Sequence, residues 1–147
     1  MEVPTALAVH ALVALAHLGF QATVTVLVYP ALARLAAPGA QSCAAQWSEA
    51  HRRHSRAIAP LVAVLYPALV ASGAWLALTG PGGAGWVALL GAAVAVGATA
   101  VAAAPTHGRI GREGPTPALV RRLLRADRAR LAGAALGAAG AVLAVLG

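Results

Sequence analysis

Apolar residues run along this chain in four long stretches, without the every-second-position alternation of a half-buried strand. They span about Thr5 to Tyr29, Ala57 to Thr79, Ala84 to Ala104 and Leu131 to Leu146. A helix needs ~20 apolar residues to cross a hydrocarbon core of ~30 Å. The fourth stretch is short, so it is expected to extend back to Arg128, with Arg128 and Arg130 snorkelling to the interface. Lipid admits only helices or closed barrels, and barrel strands would alternate. The pattern predicts an all-α, integral membrane four-helix bundle. It forms a single domain over residues 1–147, with spans at about 5–29, 57–79, 84–104 and 128–146.

The connections are unlike one another. TGPGGAG, from Thr79 to Gly85, is an uncharged tight turn, with Trp75 and Trp86 as anchors at that interface. Short amphipathic segments are expected at the other side. Ser42 to Arg56 carries Trp47 as an interfacial anchor, and ALVRRLLRADRARL, after Pro115 and Pro117, puts Leu119, Val120, Leu123, Leu124 and Leu131 on one face. That second segment is expected along the membrane surface, running into the fourth span. Gly133, Gly137 and Gly140 offer a close-packing face.

Composition narrows the function classes. The chain is 60% hydrophobic and 10% charged, too few charged side chains to cover a soluble enzyme of this size. All eleven basic residues are Arg, and all lie in the first and third connections. They read as topology charges rather than nucleic-acid contacts, since no aromatic platform lies among them. The positive-inside rule puts them in the cytoplasm of a bacterial plasma membrane, with both termini outside. No basic segment precedes the first span, so a signal peptide is not expected. The lone Cys43 allows no internal disulfide.

Polar groups within the spans are the functional candidates, because burying them in hydrocarbon costs several kcal/mol unless they are satisfied. His10, His17, Gln21, Thr25 and Tyr29 fall along one slowly drifting stripe that faces the bundle interior. Interhelical hydrogen bonding and a ligand site are both open for His17 and Gln21. Tyr66 lies between Pro60 and Pro67, where a kink would turn free carbonyls inward. Thr99 is the one polar candidate of the third span, and no carboxylate lies within any span. At the arginine-rich rim are His51, His54, Arg56 and His107. The three histidines read as solvated side chains, as one or two acid/base groups, or as a metal site, for which HxxH alone is weak. No second span supplies a histidine opposite His17, so a bis-His haem is not expected and no cofactor is assigned.

The order of motifs QATVTVLVYPALARL, W-x3-H-x2-H-S-x2-I, APTHGRIGR and LLRADRARL resembles the anthrone oxygenase-like family of small four-helix membrane proteins. The matching positions are Gln21, Tyr29, Pro30, His54, Pro105 and His107. Where relatives carry Asn-Trp-x-Arg, this chain has Asp127, Arg128 and Arg130. The resemblance implies cofactor-independent oxidation of a lipophilic, anthrone-like aromatic that enters from the bilayer. His54 or His107 would be the base and Arg56 or Arg130 the anion stabiliser, with His17, Gln21, Tyr29, Tyr66 and Asp127 around the substrate. The competing expectation is a non-enzymatic scaffold or accessory subunit, or a homo-oligomer, assembling through Gly/Ala helix faces.

Overall fold

The computed structural model describes residues 3–35 and 44–147. Helix α1 (Thr5–Thr23) continues through a π-helical turn (Val24–Val28) into α2 (Tyr29–Leu35). Helix α3 (Ala44–Leu78) is followed by α4 (Gly83–Ala98), a second π turn (Thr99–Ala103) and α5 (Ala104–Glu113). Helix α6 (Pro117–Leu146) completes the order. Four rods result, each long and apolar enough to cross a membrane, and no strand occurs among the described residues. The molecule is an all-α, integral membrane four-helix bundle. A rod of 30 residues is ~45 Å long, more than a ~30 Å hydrocarbon core.

The excess length corrects the expected surface segments. Residues 44–56 and 117–131 are not separate from the spans, but the first turns of α3 and α6. Between α5 and α6 only Gly114, Pro115 and Thr116 leave the helix. Gly114 turns the chain with φ +80, Thr116 caps α6 by accepting the Leu119 N–H, and Pro117 occupies the first turn. At the opposite end Gly80 turns with φ +68. Trp75 and Trp86 are exposed there, as interfacial anchors should be.

Trp47 is not such an anchor. It is 3% exposed, stacks on His51 and donates Nε1–H to the Leu32 carbonyl. Pro60 and Pro67 also depart from expectation. Both lie on the exposed face of a continuous α3, so the carbonyls they free, those of Arg56 and Ala63, lie on that face rather than inside.

The tightest seam is α4 against α6. A Cβ on Gly91 would sit 2.2 Å from the Gly137 nitrogen, and one on Gly140 would sit 2.5 Å from the Ala88 nitrogen. Gly133 packs against Ala95 in the same way. The glycine face thus joins two helices of one chain. Leu12, Val26, Leu61, Val64, Leu90 and Val101 point outward, where lipid would cover them.

Candidate functional site

The stripe on the first rod faces inward, as its spacing requires. His10, His17, Gln21 and Tyr29 are each at most 2% exposed. Gln21 and Tyr29 are eight residues apart, which in an ideal α-helix leaves them ~80° out of line. The π turn between them holds one more residue per turn and takes back much of that drift. The second π turn does the same between Thr99 and His107, also eight apart. Both turns therefore align polar side chains on a common interior.

These side chains meet around Arg130. Its Nη2 donates to Tyr29 Oη at 2.9 Å and to Asp127 Oδ1 at 3.0 Å, and its guanidinium lies 5.7 Å from the centre of the Tyr29 ring. Gln21 donates Nε2–H to Asp127 at 2.7 Å and also contacts Thr25. Arg130 is 7% exposed and Asp127 2%. Arg130 therefore does not snorkel, whereas its neighbour Arg128 is exposed. Asp127 is a buried carboxylate that α6 carries into the bundle, contrary to the expected absence of one. Spacing of three puts Asp127 and Arg130 on one helix face, which makes the ion pair local to α6.

A chain of hydrogen bonds leads from Arg130 to the arginine-rich end. Tyr29 Oη lies 3.1 Å from His107 Nε2, and His107 Nδ1 lies 2.8 Å from His51 Nε2. Arginine can only donate, so Tyr29 accepts from it. In the His107 tautomer that carries hydrogen on Nδ1, Tyr29 donates to His107 Nε2 and His107 donates to His51. In that tautomer the chain runs from Arg130 to Tyr29 to His107 to His51. His51, placed by the sequence among the rim histidines but not among the catalytic candidates, is buried and forms its last link. No three His, Cys, Asp or Glu side chains among the described residues group as metal ligands.

The remaining candidates sit around this core. His17 packs edge-on against Tyr66 at 5.1 Å, and Tyr66 shares a hydrogen bond of 2.8 Å with Thr99. His54 lies edge-on to Tyr29, with ring centres 6.4 Å apart. Six buried atoms, His10 Nε2, His17 Nε2, Gln21 Oε1, His54 Nε2, Thr106 Oγ1 and Arg130 Nε, have no hydrogen-bond partner among the described residues. Arg56 is exposed and outside the network.

An inner cleft of about 300 Å³ opens between α3 and the rod of α4 and α5. Ile58, Val62 and Ala103 form apolar walls, and Tyr66, His107 and Arg130 bring polar groups to it. His17, Gln21, Tyr29 and Asp127 do not border this cleft. His17, Tyr29 and Asp127 contact residues that do, and Gln21 contacts Asp127. Comparison with family models, with curated proteins and with solved structures gives no match.

Proposed function

We propose that this is a cofactor-independent oxygenase that deprotonates a lipophilic, anthrone-like aromatic inside the membrane. The observation that carries the reading is the cleft itself. An apolar pocket reachable from lipid borders a histidine and a buried arginine that belong to one hydrogen-bond chain. The motif resemblance points to the same chemistry. An anthrone has an acidic methylene flanked by aryl rings. Removing its proton leaves a carbanion delocalised onto the ring oxygen. That anion reacts with dioxygen, and loss of water from the hydroperoxide leaves a carbonyl in place of the methylene.

His107 is the base, exchanging its Tyr29 bond for the substrate's proton and passing a proton from Nδ1 to His51. Arg130 stabilises the anionic oxygen, in a site where little water screens its charge. Of the two histidines and two arginines considered from sequence, His107 and Arg130 border the cleft, while His54 and Arg56 do not. By the positive-inside rule His51 and the arginine-rich end face the cytoplasm, so the proton is held on that side until His107 returns one to the peroxide anion, giving the hydroperoxide with no net proton release.

Oxygen uptake by protein reconstituted with an anthrone tests this. Wild type should accelerate uptake above empty vesicles. His107→Ala should lower the rate by about 10²–10⁴-fold, the usual contribution of a positioned acid/base, while His54→Ala should retain more of it. An unchanged rate in His107→Ala, with the variant correctly folded, would sink the assignment.

A further inference from the structure

A second cleft, of about 490 Å³, lies at the arginine-rich end of the same seam between α3 and α5, distinct from the glycine seam. Trp47, Ser48, Arg52, Ser55, Arg56 and Ala59 border it. Ser55 and Ala59 also border the inner cleft, so the two are adjoining. Its charge is one-sided. Glu49 pairs with Arg52 and with Arg53, and Arg56 has no acidic partner among the described residues. Along α3, Ser55 to Tyr66 is eleven residues, about 16 Å of helix. One bilayer leaflet with its headgroups is about 20–22 Å deep.

We infer that the seam seats an anionic phospholipid of the adjoining leaflet. Its phosphate lies in the rim cleft against Arg56 and Ser55. One acyl chain passes Ala59 into the inner cleft and ends near the Tyr66–Thr99 bridge. The charge of the rim selects an anionic head, the Ser55 hydroxyl supplies a donor to a phosphate oxygen, and the apolar walls of the inner cleft accept the chain. The chain covers His107 and Arg130, so lipid and an aromatic ligand exclude each other from the inner cleft. The inference does not depend on the oxygenase reading, because binding and oxygen uptake are read separately.

Trp47 at the rim is a built-in reporter. In a Trp75→Phe, Trp86→Phe background it is the only tryptophan, and both replaced side chains are exposed. The protein would be reconstituted in phosphatidylcholine with a small fraction of lipid brominated near the head end of the acyl chain. Brominated phosphatidylglycerol should quench Trp47 more than brominated phosphatidylcholine does at the same mole fraction. Arg56→Gln should weaken that preference about fivefold, the effect of one basic residue near an anionic surface. Ala59→Phe keeps every rim charge but narrows the passage between the clefts, and should also reduce it. Quenching that ignores head charge overturns the proposal. So does a preference that survives Arg56→Gln, or one that Ala59→Phe leaves intact, since diffuse attraction to the rim would then suffice. Selective quenching without oxygen uptake supports the lipid seat while refuting the oxygenase. Uptake without selective quenching does the reverse.

Discussion

Arg130 is a cation enclosed by helices, and its neighbours explain how it is tolerated there. Asp127 supplies the opposite charge from one turn away, and Gln21 donates a further bond to that carboxylate. Breaking a buried pair from one side leaves an uncompensated charge, which typically costs about 3–5 kcal/mol. Asp127→Ala and Arg130→Met are each expected to lose that much stability in detergent unfolding. The double variant should lose less than the sum, because neither charge is then left alone. Strict additivity would show that the pair is not coupled. This core was only half legible in the chain. The inward stripe of the first helix follows from its spacing, and so do Tyr29 and Gln21 on it. The motif resemblance singles out Arg130 and Asp127, but by position alone they sit in an arginine-rich stretch where charges meet the interface. Their burial depends on which face of α6 meets the first rod, and that is a tertiary contact.

At the scale of elements, two features position the site. The π turns realign polar residues that a regular α-helix would let drift, and nothing in their apolar sequences, VTVLV and TAVAA, announces the extra residue. The glycine seam holds α6 close to α4 and so sets where Arg130 lies in the bundle. Its tightness can be measured. Gly91→Ala forces a methyl against the α6 backbone, and helices must separate to admit it, at a cost of about 1–3 kcal/mol or more. Gly97→Ala, in the same helix with nothing within 4 Å of its Cβ, should instead stabilise by about 0.5–1 kcal/mol. Equal effects of the two substitutions on unfolding would contradict the seam. The glycines were visible from sequence as a close-packing face, but their partner was not. Small residues permit approach by any helix, and only the bundle shows that α4 takes the place.

The whole molecule is polarised, with arginines at one end and an uncharged glycine turn at the other. The positive-inside rule predicts an orientation with the arginines in the cytoplasm. Single cysteines in a Cys43→Ala background test this. Gly82→Cys in the turn and Gly111→Cys on α5 both fall on exposed positions with nothing within 4 Å. A membrane-impermeant thiol reagent should label the first only from outside and the second only from the cytoplasmic side. Labelling with the sides exchanged would reverse the orientation and move His51 to the outer surface.

Class, span number and the inward face of the first helix were determined by the sequence alone, because hydrocarbon imposes long apolar runs and punishes any polar group that faces it. Rotation and depth of each helix were decided by the folded bundle. Those two quantities brought Asp127 and Arg130 inside, buried Trp47 and His51, turned Pro60 and Pro67 outward and left Arg56 at the rim. They depend on how side chains from distant segments pack, and a linear pattern records only the periodicity of one helix at a time.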